Sequence, residues 1–131
     1  MAKSFWSFGS PGQLVFGRKS VKQLSRLVSR FAWRRALIIT DRNLLDAGVV
    51  TSVQQALGDG GATVEVFSEG EPEPSIAIAE VSLKCAMEFA PDVLIGVGGG
   101  SYLDLSKNTA AAFTHNVRTS EYLGFDKVPL P

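Results

Sequence analysis

A chain of 131 residues is long enough for one domain that buries about two thirds of its unfolded surface. Thirteen basic residues balance thirteen acidic ones, which argues against a nucleic-acid or anionic-membrane partner, and one cysteine excludes an internal disulfide. No apolar stretch approaches the ~20 residues of a transmembrane helix and MAKSFWSFGSPG lacks an apolar leader, so the composition predicts a soluble cytoplasmic domain.

Strand-like and helix-like segments then alternate along the chain. Ser4–Phe8 and Gln13–Phe16 flank Ser10-Pro11-Gly12 and predict a small N-terminal β-hairpin packed by Phe5, Trp6 and Phe8. A helix opens at Ser20, with Gln23 completing a capping box and Val21, Leu24, Val28 and Phe31 forming its apolar stripe. Arg35–Thr40 reads as a short buried strand ending at Asp41. Val49, Val50, Val53 and Leu57 mark a second helix stopped by Gly58, Gly60 and Gly61, and Thr63–Phe67 is the next strand.

The acidic, proline-containing loop 68–74 leads into a helix over about 75–90, with the stripe Ile78, Val81, Cys85 and Phe89. Asp92–Val97 is a strand that runs through glycines into a helix over about 101–113. Residues 114–131 carry no period and read as a linker toward a further domain, with His115 in a solvated loop. The alternation predicts βαβ units: an α/β, Rossmann-like open and mainly parallel sheet with helices on both faces. Runs such as LIIT and VLIGV suit parallel strands covered on both sides.

The candidate site begins at GVGGGSYL, residues 96–103. The spacing is not G-x-G-x-x-G, because with Gly96 and Gly98 as the first two glycines the third position is Ser101. The glycines nevertheless fall at the carboxyl end of a strand and directly before a helix. Unpaired N–H groups and a partial positive charge there suit a phosphate; a tight strand-to-helix turn is the structural alternative. Ser101 and Asp104 have the Ser-x-x-Asp spacing of a capping box, and Asp104 lies three residues from Lys107, a surface ion-pair spacing. Asp41, at another strand end, could accept both hydroxyls of an adenosine ribose or could cap a turn of helix.

GGGSYLDLSK, residues 98–107, resembles the GGGS-x-x-D-x-x-K segment of the iron-containing (group III) alcohol dehydrogenases. Pro11, Val15-Phe16-Gly17, Thr40-Asp41 and the EPEPS loop at 71–75 follow the same order, so the resemblance covers essentially the whole chain. It implies that residues 1–131 are an N-terminal dinucleotide-binding domain, and that the family's helical metal domain is absent from this sequence. It makes Gly98, Gly99, Gly100 and Ser101 pyrophosphate contacts. It puts Asp104 near the cofactor and Asp41 on the adenosine ribose, favouring NAD over NADP. The implied parent reaction is hydride transfer between NAD and a small alcohol or aldehyde, assisted by iron or zinc. No catalytic residue and no metal ligand is assigned within this chain, and the assembly of a homo-oligomer is left open.

Three departures stand out. Tyr102 replaces a common proline, Leu105-Ser106 replaces Thr-Ala or Thr-Cys, and Glu73 replaces the asparagine of Pro-Asn-Pro. Two other functions fit the same residues: a dehydroquinate-synthase-like lyase domain, and a non-catalytic α/β nucleotide-binding module. Cys85 on its helix stripe reads as a small buried hydrophobe.

Overall fold

Ala36, Leu37, Ile38, Ile39 and Thr40 are completely removed from solvent, and they fix the centre of the molecule. The computed structural model describes residues 12–122. The strand β1 (Arg35–Ile39) lies between β2 (Thr63–Phe67) and β3 (Val93–Gly96), parallel to both. Five consecutive apolar or β-branched residues suit a middle strand, since both of its faces must be covered. Successive side chains of β1 point to opposite faces and so feed two cores. On one face Ala36 and Ile38 join Val28, Val50, Val53, Leu57 and Ala62; on the other Leu37 and Ile39 join Phe67, Ala86 and Leu105. Each fully buried leucine or isoleucine contributes about 1.5–3 kcal/mol relative to its exposed state.

The first core is roofed by α1 (Leu24–Phe31) and α3 (Val49–Asp59), the second by α4 (Ile76–Phe89) and α5 (Gly100–His115). Helices therefore cover both faces of the sheet, as the alternation predicts. A short helix, α2 (Arg42–Asp46), between β1 and α3 is not evident in the apolar periodicity, because five residues are too few to show one.

Several details differ from the sequence reading. Gln13–Phe16 is outside the sheet, and Leu14 and Phe16 are 91% and 97% exposed; the other half of the expected hairpin lies outside the described residues. Ser20 does not cap a helix. The chain enters α1 through a tight turn of 3-10 helix, Ser20–Gln23, preceded by Lys19 at φ 62° with no side-chain cap. Phe31 is more than half exposed and stacks on Trp33 instead of entering the core. Gly58 does not end α3, which runs on to Asp59.

On α4 the inward positions include Ser82 and Ala86, while Val81 faces out. The small residues let α5 approach, and the buried Ser82 hydroxyl meets that of Thr109 at 2.5 Å, so neither polar group is left unpaired. Cys85 is only partly buried, against the second core, and burial pushes its thiol up, assisted by the charges of Glu65, Glu88 and Glu69. The thiol is therefore protonated at neutral pH.

His115 belongs to the last turn of α5 and is partly buried, not in a solvated loop. The chain beyond it is not a free linker as far as Tyr122. The Thr119 N–H and hydroxyl both donate to Glu80 Oε1, at 3.0 and 2.5 Å, and hold a 3-10 turn (Thr119–Tyr122) against α4. At the amino ends of the strands, Arg35 Nε and Nη2 donate to the Phe89 carbonyl at 2.8 and 2.6 Å. The Arg35 guanidinium also covers the Phe89 ring, and Asp92 accepts the backbone N–H groups of Arg34 and Arg35 at 2.7 and 3.0 Å.

Candidate dinucleotide site

The chain passes from β1 outward to β2, then crosses back over β1 to β3. The point where direction reverses lies between β1 and β3, and ligands of open α/β sheets bind in the crevice outside the carboxyl ends there. Asp41 follows β1 and the glycines follow β3, so the topology brings the two main candidates to one crevice.

The four glycines have separate physical roles. A Cβ on Gly96 would lie 2.5 Å from the Ser106 hydroxyl, so its bareness lets α5 pack on the end of β3. Gly98 has φ +135°, outside ordinary side-chain-bearing backbone, and a Cβ there would strike the Tyr102 ring. Gly99 and Gly100 are different: Gly99 has φ −79°, Gly100 begins the helix, and a Cβ on either would meet nothing within 4 Å. Internal packing and strain do not account for these two. The space in front of them is open to a ligand, and α5 begins there at Gly99 with no side-chain cap. The Ser101/Asp104 capping box does not form, because the helix already starts at Gly100.

Ser101 instead accepts the backbone N–H of Glu73 at 3.3 Å, which brings the proline loop against the turn. Glu73 sits at φ 50°, the left-handed region that asparagine tolerates better than glutamate. The loop's own helix, α4, is capped by Ser75, whose hydroxyl accepts from Ile78 N–H at 3.2 Å.

Asp41 has two partners. Its Oδ1 accepts the Leu44 N–H at 2.7 Å and so caps α2; its Oδ2 accepts the hydroxyl of Tyr102. Those bonds, the Tyr102 hydroxyl first and then the Leu44 and Asn43 N–H groups, hold the carboxyl below the usual aspartate range against a smaller desolvation effect. Asp41 is therefore an anionic acceptor at neutral pH. Of the two sequence readings of this residue, the helix cap is formed, and the second carboxylate oxygen is brought to Tyr102 in the first turn of α5. Tyr102 is the residue that sequence reasoning missed. Its signal was a large, polar-tipped aromatic in the first turn of a glycine-initiated helix.

Asp104 is one turn further on, with its side chain 77% exposed and 3.8 Å from Lys107. It borders a groove of about 260 Å³ between α4 and α5 that includes Ser75, Leu105 and Asn108. A second groove, of about 400 Å³, opens beside Gly98 and is lined by Leu24, Val53, Ile95 and Val97. Among the described residues no group of three or more histidines, cysteines, aspartates or glutamates could hold a metal ion. No helix there is long and apolar enough to cross a membrane.

The family model for iron-containing alcohol dehydrogenases matches residues 11–131. The chain belongs to that family. It is 36% identical over 107 residues to long-chain-alcohol dehydrogenase 1 of Geobacillus thermodenitrificans, covering 82% of this chain and 27% of that enzyme. It is 31% identical over 119 residues to sulfoacetaldehyde reductase of Bilophila wadsworthia, covering 91% of this chain and 31% of that one. The chain thus spans a third or less of the curated relatives it matches. An iron-containing alcohol dehydrogenase of Thermotoga maritima shares the fold at TM-score 0.84 and 23% identity, over 96% of this chain and 35% of that one. So does a Bifidobacterium kashiwanohense sulfoacetaldehyde reductase in complex with NAD⁺, at TM-score 0.82 and 19% identity, over 95% of this chain and 32% of that one. The fold class and the family that GGGSYLDLSK implied are therefore those of this chain.

Proposed function

We propose that this chain is the NAD-binding domain of an iron-type alcohol dehydrogenase, with the dinucleotide lying across the carboxyl ends of β1 and β3. The observation that carries this reading is the pairing of an anionic acceptor, Asp41, with the open and uncapped start of α5 at Gly99-Gly100 in one crevice. The first N–H groups of α5, around Gly98–Ser101, would take the pyrophosphate, helped by the positive end of the helix. Asp41 would accept the adenosine ribose hydroxyls and repel a 2′-phosphate, favouring NAD over NADP. Asp104, one turn along α5 and paired with Lys107 only at the exposed surface, would lie near the cofactor. Bound NAD supplies the hydride acceptor for oxidation of a small alcohol, and the protein's part in this domain is to orient it. The described residues do not fit the family's metal, so no step of that chemistry is assigned to them. The partly exposed free thiol of Cys85 suits a reducing, cytoplasmic setting.

Titration of the chain with NAD and with ADP-ribose, followed by backbone amide NMR, tests the reading. The largest shifts are expected at Gly98–Ser101 and at residues 41–44. Shifts centred elsewhere, or none at millimolar ligand, would overturn it.

A further inference from the structure

Tyr102 is 9% exposed and its ring is wedged between two backbones. A Cβ on Gly98 would fall on its Cδ2 side, and one on Gly70 would come within 3.0 Å of its Cδ1. The ring therefore has no freedom to swing, and its hydroxyl is delivered to Asp41 Oδ2 from α5. The other oxygen, Oδ1, is held at 2.7 Å by the Leu44 N–H at the start of α2. Two different elements thus pin the two oxygens of one carboxylate.

We propose that Tyr102 is a positioning residue for Asp41, fixing the carboxylate plane so that it accepts a vicinal ribose diol and cannot turn aside for a 2′-phosphate. The inference rests on the ribose-binding reading of Asp41. A carboxylate oxygen has two lone pairs. With one of each committed to Leu44 and Tyr102, one on each oxygen remains for the two hydroxyls of a diol. A carboxylate held by Leu44 alone keeps a broad terminal torsion and can rotate away from an incoming phosphate. The donor and acceptor assignment holds at neutral pH, since Asp41 beside it pushes the Tyr102 phenol up while that bond keeps the carboxyl ionised. Tyrosine at this position therefore links the phosphate-binding helix to the ribose-binding strand end, so one side chain couples the two halves of the recognition.

The test measures dissociation constants for NAD and NADP, by calorimetry, on the wild-type chain, Tyr102→Phe and Asp41→Asn. Phenylalanine keeps the ring between Gly98 and Gly70 and removes only the hydroxyl. Tyr102→Phe is expected to weaken NAD about three- to tenfold, the scale of one ordinary hydrogen bond because the loss acts through the carboxylate's orientation, while leaving NADP nearly unchanged. The NAD/NADP ratio falls accordingly. Equal weakening of both nucleotides, or an unchanged ratio in Tyr102→Phe while Asp41→Asn abolishes the preference, overturns the positioning role and leaves the ribose reading standing. A wild-type chain without NAD preference, unaffected by Asp41→Asn, removes the ribose reading itself and this inference with it. Should Tyr102→Phe fail to fold, 3-fluorotyrosine at position 102 alters the donor strength without changing the shape, and a ratio that does not move overturns the proposal in the same way.

Discussion

Gly98, Gly99 and Gly100 are adjacent and chemically identical, yet alanine should act on them in opposite senses. At Gly98 the backbone is at φ +135°, where a side chain costs about 1–3 kcal/mol. The new Cβ would also overlap the Tyr102 ring and come within 2.9 Å of Leu44 Cδ1, an overpacking of about 1–3 kcal/mol. Together these make Gly98→Ala about 2–6 kcal/mol less stable, a large part of the roughly 5–15 kcal/mol that holds a domain together. At Gly100 there is no such strain and nothing lies within 4 Å, so alanine should stabilise the first turn of α5 by about 0.4–1 kcal/mol. The same methyl group stands where a phosphate must approach the helix N–H groups. Losing one charge-assisted hydrogen bond would cost NAD about tenfold or more in affinity. Urea melts and NAD calorimetry on the two variants separate the effects: Gly98→Ala loses stability, whereas Gly100→Ala keeps it and loses binding. A Gly98→Ala variant as stable as wild type would refute the strain argument. A Gly100→Ala variant with undiminished NAD affinity would refute the phosphate site.

Three other outcomes are expected. The Glu80 carboxyl is held below the ordinary glutamate range, first by the Thr119 hydroxyl, then by the Thr119 and Ser120 N–H groups and the Arg118 charge, against partial desolvation. Its folded value lies below its unfolded one, so its contribution is complete above about pH 4.3 and fades as the pH falls through the folded value; Glu80→Ala should cost about 1 kcal/mol at pH 7 and progressively less as the pH is lowered through the acid range, read from urea midpoints. Glu73→Asn should raise stability by about 0.5–1 kcal/mol because asparagine tolerates the left-handed backbone at φ 50°, and a lower urea midpoint at unchanged slope would contradict this. The pure 131-residue chain should not reduce NAD with an alcohol in the presence of Fe²⁺ or Zn²⁺, and metal-dependent growth of absorbance at 340 nm would disprove that expectation.

How much of this was legible beforehand follows from which forces write themselves into a one-dimensional pattern. β1 was readable because its four apolar residues are buried on both faces, and α3 because Val50, Val53 and Leu57 share one face. The outward turn of Val81 was not, since the face of α4 is set by how closely α5 can approach across Ser82 and Thr109. The Asp41 position was legible as a strand end. Its second partner was not, because Tyr102 lies 61 residues away and reaches it only after β3 and α5 are in place. Gly98 and Gly100 looked alike in sequence; their backbone angles and neighbours, not their identity, show that the fold requires a glycine at the first and not at the second.

The Arg35 clamp on Phe89, with Asp92 holding the start of β1, gathers the strands at the end remote from the glycine turn. A scaffold anchored at one rim leaves the opposite rim open to revision. Residues 42–43, 71–73 and 99–101 could be rewritten together to retarget the crevice around Gly70, Gly98 and Tyr102, which must stay because they pack on one another, while a library that touched Arg35 or Asp92 would discard folded members before their loops were ever sampled. In a saturation screen read separately for abundance and for nucleotide capture, Arg35 and Asp92 should be sensitive in abundance, Gly99 and Gly100 in capture alone, and Gly98 in abundance although it stands at the glycine end.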